Sequence, residues 1–435
     1  MKKYSYFAVI IMAALSSCKP EFDEFKPSAG DANFSTYVSL GNSLTAGYTD
    51  QALYKSGQEN SYPNLLAMQF QKVGGGEFKQ PLVNDEMGIG FSGLTPIAKL
   101  TLQPKADCKG VTSLSPAPAG PGNLANLAPI GSQGPFNNMG VPGAKSFHLI
   151  TPGYGSAAGN PFFARFASSP TTTILADAIK QQPTFFSLWI GNNDILTFGL
   201  AGGEADSITS PSGFEFYLNN ILQSMTANGS KGVIATIPDV TVIPFFNTIP
   251  YNALVLTDEN QVNQLNAAYA ALGIKFNLGQ NALIIEDTQA PGGLRQIKKT
   301  EKFLLTTPQD SIKCYGWGSQ KPIPDEFVLD EAEISALISA AESYNGIIKN
   351  MANKYNLALA DANQQLGMLE SGLSFDAVTL NTTFASGGFF ALDGIHLTPR
   401  GNAVVANIFI GAINDKYKAQ IPLVDITKYR GVAFP

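Results

Sequence analysis

The chain contains two histidines, and one of them has a carboxylate at a spacing that supports acid–base chemistry. In the run Asp393-Gly394-Ile395-His396 the two side chains are three residues apart, so the carboxylate can reach the imidazole within one turn. Such a carboxylate orients the imidazole and stabilises the charge it gains when it takes a proton. No Asp or Glu lies near His148, which we expect to be structural or to face a substrate.

Polar side chains follow two predicted strands. Ser43 lies in the run Gly41-Asn42-Ser43-Leu44, directly after a short buried strand, and Asn192-Asn193-Asp194 follows the apolar run 185–190. In open α/β sheets, ligands bind beyond the carboxyl ends of the strands. Ser43 can therefore project its hydroxyl into a cleft, although a serine at such a turn more often caps a helix. Likewise, Asn and Asp after a strand often only close a turn.

Apolar runs and amphipathic segments alternate along the chain, which predicts the elements that position these residues. Strands are predicted at 36–40, 185–190, 233–237, 283–286 and 357–360, and helices at 64–73, 171–181, 214–225, 261–272, from 330, and at 399–417. Ser212 is the expected cap of the third helix, and Asp330 with Glu333 forms an expected capping box. This alternation predicts an α/β fold with a mostly parallel sheet covered on both faces.

The composition excludes several classes of protein. Of 435 residues, 44% are hydrophobic and 14% are charged, and the formal net charge is −6. A charged fraction well below the ~25% of a typical soluble domain excludes a disordered, solvated chain. The acidic balance argues against nucleic acid as a partner. The chain has 42 Gly and 27 Pro, which predicts long loops, and residues 103–143 are predicted to be an irregular insert.

The first 17 residues are predicted to be a signal peptide. A basic start at Lys2 and Lys3 precedes an apolar run over 4–15, which is too short to span a bilayer as a helix. The sequence Leu15-Ser16-Ser17-Cys18 resembles a bacterial lipobox, which implies lipidation of Cys18. Residues 18–34 are then a tether. We expect an outer-membrane or cell-surface lipoprotein of a Gram-negative bacterium, with the periplasmic face as the alternative.

The two remaining cysteines, Cys108 and Cys314, either pair in the oxidising compartment or remain as free buried thiols. No zinc-binding pattern is present, so we expect neither a metal nor a cofactor. The run Gly88-Ile89-Gly90-Phe91-Ser92-Gly93 spells a dinucleotide-binding fingerprint. It lacks the preceding strand and following helix that this function requires, so we reject that interpretation.

Four sequence blocks in order resemble the SGNH/GDSL hydrolases. They are Gly41-Asn42-Ser43-Leu44, Gly140-Val141-Pro142-Gly143, Gly191-Asn192-Asn193-Asp194 and Asp393-Gly394-Ile395-His396. The resemblance covers residues 36 to about 417. It implies a flavodoxin-like three-layer α/β/α sandwich with long insertions.

The resemblance also implies roles for individual residues. Ser43 would be the nucleophile, His396 the general base and acid, and Asp393 the residue that orients His396. The backbone N–H groups of Ser43 and Gly143 and the side-chain amide of Asn193 would form the oxyanion hole, with Gly140 as an alternative to Gly143. The family usually has Asp where this chain has Asn42. We expect this change to retune the turn and to leave the role of Ser43 intact.

The resemblance predicts a serine esterase or lipase that hydrolyses lipid esters or O-acyl groups on glycans through an acyl-enzyme. An O-acyltransferase on the same site and a non-catalytic binding lipoprotein are the alternatives. The apolar segments 161–163 and 244–246 would line an acyl site or pack in the core. Because Ser43 and His396 must meet across 353 positions, we expect one domain over 35–435 with inserts at about 50–145 and 240–328.

Overall fold

The computed structural model of the chain describes residues 25–375 and 377–435. The predicted signal peptide at 1–17, the proposed lipidation site Cys18 and the start of the tether lie outside the described residues. None of the helices in the described part of the chain is both long enough and apolar enough to cross a membrane.

A parallel sheet of five strands forms the centre of the fold. Its strands are β1 (Tyr37–Gly41), β2 (Asn138–Gly140), β3 (Phe185–Trp189), β4 (Lys231–Ala235) and β5 (Ala358–Ala360), in the order β5-β4-β3-β1-β2. The α/β class and the parallel sheet predicted from the sequence are confirmed.

Seven helices are needed to describe the layers and the site. They are α1 (Ser43–Ala46), α2 (Tyr62–Gln71), α3 (Ile174–Ile179), α4 (Asn192–Leu200), α5 (Pro211–Thr226), α6 (Glu331–Lys354) and α7 (Pro399–Tyr417). Helices α2 and α7 pack on each other and cover one face of the sheet, and α3, α5 and α6 cover the other. The three-layer α/β/α arrangement is therefore present.

Alternating side chains of the strands fill the two interfaces between these layers. On one face, the Phe185 ring packs against Phe70 of α2 and Tyr417 of α7. The next side chains along β3, Phe186 and Leu188, point to the opposite face and are fully buried there. Because both faces are covered, the strands are mostly apolar, as is typical of parallel sheets.

Helix boundaries follow local capping groups. Asp330 and Glu333 form the predicted capping box at the start of α6, with each side chain accepting the other residue's backbone N–H. The predicted cap of α5 was wrong: Ser210 Oγ accepts the N–H of Gly213, and Ser212 lies inside the helix. Pro211 takes the first helical position, where its missing N–H has no cost, and this moves the cap to Ser210.

The prediction that residues 103–143 are irregular was wrong in two places. Residues 100–106 and 112–118 pair as an antiparallel hairpin, and β2 adds an edge strand to the central sheet. The hairpin is exposed on much of both faces, so its sequence lacks the apolar alternation that marks a strand. At three residues, β2 is too short to give a pattern.

Residues 240–328, predicted to be the second insert, carry their own small elements and two small clusters of buried side chains. A disulfide joins Cys108, at the tip of the hairpin, to Cys314, with 6.4 Å between the two Cα atoms. The two segments that were predicted to be inserts are therefore covalently linked across 206 positions.

The remaining short elements lie around this framework. The other helices are Lys55–Glu59, Pro161–Ala164, Pro244–Asn247, Glu259–Ala268, Gln309–Cys314 and Ala362–Gly367. The other strands are Gly90–Ser92, Thr95–Ile97, Leu100–Ala106, Thr112–Pro118, Leu254–Leu256, Gly279–Asn281, Ile284–Glu286, Leu294–Gln296, Lys302–Phe303, Val328–Leu329, Leu373–Phe375 and Val378–Leu380.

Candidate active site

Ser43 lies at the first position of α1, directly beyond the carboxyl end of β1. Asn42 caps this helix, because its Oδ1 accepts the N–H of Leu44 at 3.0 Å. The Asn42 amide also reaches Asn192 Oδ1 at 3.4 Å and so connects the turn to the start of α4. A Cβ at Gly41 would lie 2.1 Å from Thr45 Oγ1, so the turn needs glycine there. The side chain at position 42 thus shapes the turn that presents Ser43.

His396 connects Ser43 to Asp393 through two hydrogen bonds. Its Nε2 lies 2.9 Å from Ser43 Oγ, and its Nδ1 lies 2.8 Å from Asp393 Oδ2. With the ring proton on Nδ1, the imidazole donates to the carboxylate and can accept the proton of the serine hydroxyl. Ser43 and His396 are 353 positions apart in the chain. Together with Asp393, they have the geometry of a catalytic triad.

Asp393 is held as an anion by several donors. Its Oδ1 accepts the backbone N–H groups of Ile395 at 2.9 Å and His396 at 2.8 Å, and its Oδ2 accepts that of Gln51 at 2.8 Å. Burial by itself raises the pKa of Asp393, but the charge of His396 and these hydrogen bonds outweigh burial and lower it to about 2. The carboxylate is therefore available to orient His396 at any pH near neutrality.

The loop at Asp50 and Gln51 supports Asp393, and the sequence analysis missed this contact. Both residues have a positive φ, 49° and 60°, in a region that non-glycine residues rarely occupy. Asp50 Oδ1 accepts the N–H of Leu392 at 3.0 Å, next to the point where Gln51 binds Asp393. The strained turn therefore braces the Asp393 loop. No local signal could reveal these contacts, because they join residues 342 positions apart.

Three donors around Ser43 are available for a negatively charged oxygen. Among the described residues, no acceptor pairs with the backbone N–H of Ser43 or of Gly143. Asn193 uses one amide hydrogen on the carbonyl of Ala144 at 3.0 Å, which leaves the second free. Ser43, Gly143 and Asn193 all line one cavity with His396. This arrangement can stabilise the oxyanion that forms when a hydroxyl attacks a carbonyl carbon.

Gly140, the alternative donor, has a different role in the structure. Its N–H binds Asn138 Oδ1 at 3.0 Å, and a Cβ there would lie 2.3 Å from Ala46 N. Gly140 therefore allows β2 to approach α1 closely and does not line the cavity. Gly143, by contrast, is exposed, has a φ of 79° and lines the cavity.

Asp194 fixes the loop that carries Gly143. This fully buried carboxylate accepts the N–H of Ser146 at 2.8 Å and its hydroxyl at 2.6 Å. Burial raises the pKa of Asp194, which the two bonds from Ser146 partly offset. Because Asn193 and Asp194 are neighbours, the same turn positions the amide donor and the loop of Gly143.

We expect Asp194→Asn to lower kcat for ester hydrolysis by about 10- to 100-fold. An amide in place of the carboxylate turns one acceptor into a donor that faces Ser146, so the Gly143 donor shifts, and one oxyanion donor is worth about 10²–10³ in rate. The measurement is kcat and KM with a p-nitrophenyl ester, with the loss expected in kcat.

Asp177→Asn is a matched control for Asp194→Asn. Asp177 binds the N–H and hydroxyl of Ser168 in the same way, at 2.9 and 2.5 Å, but does not line the cavity. We expect Asp177→Asn to lower the melting temperature while kcat stays within about twofold. Equal losses of kcat in both variants would show that Asp194 has no specific positioning role.

His148 takes no part in this site. Its Nδ1 accepts the N–H of Lys145 at 2.9 Å, and its ring stacks on Tyr154 at 4.2 Å between centroids. Burial, with a contribution from the charge of Lys145, lowers the pKa of His148 to about 4. His148 is thus a neutral side chain in the described structure, away from Ser43.

No metal or dinucleotide site was predicted from the sequence. Within residues 25–375 and 377–435, no group of three or more His, Cys, Asp or Glu side chains is placed to hold a metal ion. Gly90–Ser92 pairs as a short antiparallel strand with Thr95–Ile97, and no helix begins there. The run at 88–93 therefore lacks the strand–turn–helix context of a dinucleotide site.

A cavity of about 420 Å³ opens from Ser43 and has mostly apolar walls. Phe162 lines it, whereas Phe163 is buried in the core. The second aromatic pair considered in the sequence, Phe245 and Phe246, packs in the core and does not line the cavity. Instead, the backbone N–H of Phe245 binds Gly394 O at 3.0 Å and supports the Asp393 loop.

No family model and no curated protein matches the chain. Several solved structures do match it. A protein described as a GDSL-like lipase from Parabacteroides merdae is 11% identical, with a TM-score of 0.36, over 89% of this chain and 99% of its own. An acetylxylan esterase from Geobacillus stearothermophilus is 10% identical, with a TM-score of 0.37, over 88% and 95%.

An extracellular lipase from Streptomyces rimosus is 11% identical, with a TM-score of 0.35, over 87% of this chain and 98% of its own. At TM-scores below 0.5, such superpositions do not establish a shared architecture. The fold therefore rests on the topology of the sheet, and the chemistry of the site rests on its own distances.

Proposed function

We propose that this chain is a serine esterase of the SGNH/GDSL type that hydrolyses carboxylic esters. The observation that carries the proposal is the hydrogen-bonded sequence from Ser43 through His396 to Asp393, placed at the mouth of an apolar cavity. The free donors of Ser43, Gly143 and Asn193 around the same serine add the means to stabilise a negatively charged oxygen.

The geometry supports a two-step acyl transfer. Ser43 Oγ attacks the ester carbonyl carbon while His396 Nε2 takes the hydroxyl proton, and the three donors bind the oxygen that becomes negative. The bond to the alcohol breaks as His396 returns the proton to the leaving oxygen. Water then attacks the acyl-enzyme by the same route and releases the acid, which restores Ser43.

The experiment that tests this function uses the purified protein with p-nitrophenyl esters from acetate to palmitate. We expect release of nitrophenol and covalent labelling of Ser43 by a fluorophosphonate, located by peptide mass. A protein that hydrolyses none of these esters and takes no label at Ser43 is not a serine esterase. Product analysis with and without a sugar acceptor distinguishes hydrolysis from acyl transfer.

We also propose that the enzyme is anchored to the membrane by a lipid on Cys18. The support is the sequence Leu15-Ser16-Ser17-Cys18 after a short apolar run, followed by an acidic segment. Cys18→Ser is expected to abolish palmitate incorporation and to release the protein from the membrane fraction. Incorporation that persists in Cys18→Ser would refute this site.

Trypsin treatment of intact cells tests which face of the outer membrane carries the protein. Trypsin cuts the protein if it lies on the cell surface and leaves it intact if it lies on the periplasmic face.

A further inference from the structure

The cavity at Ser43 extends in one direction along the sheet. Beyond the serine, its walls come from segments that follow β3, β4 and β5 in turn, which are neighbours in the sheet. The apolar residues of these walls are Leu196 and Leu200 after β3, Val240, Val242 and Ile243 after β4, and Leu366 and Leu369 after β5. The cavity is thus an apolar channel across the carboxyl edge of the sheet, which we call the acyl channel.

The spacing of residues along helix α4, which lines the acyl channel, gives the length of the channel. The second residue of α4 is Asn193, the proposed oxyanion donor, and Leu196 and Leu200 on the wall are three and seven residues further on. At 1.5 Å per residue, these positions are ~4.5 and ~10.5 Å from Asn193 along the helix axis. The strands give a similar span, because three spacings of ~4.8 Å separate β1 from β5, or ~14 Å.

These lengths correspond to a medium-length acyl chain. An extended chain of C–C bonds of ~1.5 Å advances ~1.25 Å per carbon, so ~10.5 to ~14 Å holds roughly eight to eleven carbons. The cavity volume, about 420 Å³, leaves room for a chain of this length and sets no tighter limit on it.

The chemistry of the walls favours an uncharged aliphatic group over a sugar or an anion. No lysine or arginine is among the residues that line the cavity, and its acidic lining residues outside the triad are Asp239 and Glu370. Glu370 is exposed, at the open side. Most other side chains there are aliphatic or aromatic, with Phe389 and Phe390 among them. A glycan would find few hydrogen-bonding partners in such a channel, and burying its hydroxyls without partners is unfavourable.

We propose that the acyl channel binds the acid part of esters of medium-chain fatty acids, of roughly eight to eleven carbons, with Leu200 near the end of the chain. The proposal rests on the proposed esterase function. In the reaction the acyl carbon forms a bond to Ser43 Oγ, its bond to the alcohol breaks, and water later takes the place of Ser43. The alcohol leaves on the open side, so the channel selects the acid and imposes little selection on the alcohol.

The test is a chain-length series in the full-length protein and in two variants that fill the channel at different depths. For the natural chain, we expect kcat/KM to rise about three- to fourfold per buried methylene from acetate and to reach a maximum between octanoate and undecanoate. Leu200→Trp is expected to move the maximum to about hexanoate. Leu196→Trp is expected to move it to butanoate or below, because position 196 lies closer to Ser43.

Leu423→Trp makes the same substitution at an exposed position outside the cavity and is expected to leave the series unchanged. Fluorophosphonate labelling of Ser43 and the melting temperature show whether each variant is folded. A maximum at acetate in the natural chain, or equal shifts in Leu196→Trp and Leu200→Trp, would overturn the acyl channel while leaving the esterase function in place. Absence of hydrolysis for every ester, with no label on Ser43, would overturn the esterase function itself.

Discussion

Replacing Ser43 by alanine is expected to lower kcat/KM for esters by about 10⁴- to 10⁶-fold, the range found when a triad nucleophile is removed. Ser43 Oγ is the hydroxyl that lies 2.9 Å from His396 Nε2 at the opening of the cavity. Without it, no acyl-enzyme forms, and only weak catalysis from the oxyanion donors and from binding remains. Initial rates with p-nitrophenyl octanoate and acetate measure the loss.

Two observations make the Ser43→Ala result specific. The variant is expected to take no fluorophosphonate, and its melting temperature should stay within a few degrees, since the hydroxyl is at a cavity and not in the core. Ser187→Ala is the matched control, because Ser187 is buried in β3 and bonds to Tyr37 at 2.7 Å, away from the cavity. It should keep full activity. Substantial hydrolysis by Ser43→Ala would place the nucleophile elsewhere.

Replacing Asp393 by asparagine is expected to lower kcat by about 10⁴-fold while leaving the overall fold intact. The carboxylate accepts N–H groups from Gln51, Ile395 and His396 and the Nδ1 proton of His396, using both oxygens. The amide of asparagine brings two hydrogens to a site that needs acceptors. It therefore favours the tautomer of His396 that carries its proton on Nε2, where it cannot take the proton of Ser43.

The loss in Asp393→Asn should be the same across pH 6 to 9, because the lowered pKa of Asp393, about 2, keeps it ionised throughout this range.

The lowered pKa of Asp393 also predicts how the stability of the fold depends on pH. An acid whose pKa is lower in the folded protein than in the unfolded chain stabilises the fold above its unfolded pKa, near 4, and loses this contribution as the pH falls toward 2.

The stability contribution of ionised Asp393 is measured by urea unfolding. A shift from 3.8 to about 2 corresponds to about 2 kcal/mol. The free energy of unfolding of the natural chain should therefore drop by about this much more than that of Asp393→Asn between pH 5 and pH 2. A drop of equal size in both proteins, or a variant that keeps a tenth of its kcat, would contradict the role assigned to Asp393.

The sequence and the structure agree best where local pattern decides the outcome. The capping box of α6 and the range of α7 follow from residues within a few positions of one another. The elements that the sequence analysis missed depend on contacts between distant residues. Strand β2 is held by pairing with β1 across about 100 positions and by the side chain of Asn138, and neither contributes to a local hydrophobic pattern.

By itself, the sequence predicted the class of fold and the side chains that the structure brings together at the candidate site. Continuous apolar runs require a sheet covered on both faces, and the Asp-x-x-His spacing at 393–396 allows the carboxylate to meet the ring without help from distant residues. Ser43, Gly143 and Asn193 were singled out by the resemblance of four ordered sequence blocks to the SGNH/GDSL hydrolases, because a serine or an asparagine at a strand end by itself often only caps a helix or closes a turn.

Only the tertiary structure decided how these groups are supported and what they face. The brace from Asp50 and Gln51, the bond between Asp194 and Ser146, the link between Cys108 and Cys314 and the direction of the acyl channel all depend on long-range contacts. Such contacts join segments that have no fixed spacing in the chain. Their partners are set by how the strands and the segments between them pack in three dimensions, so no local motif records them.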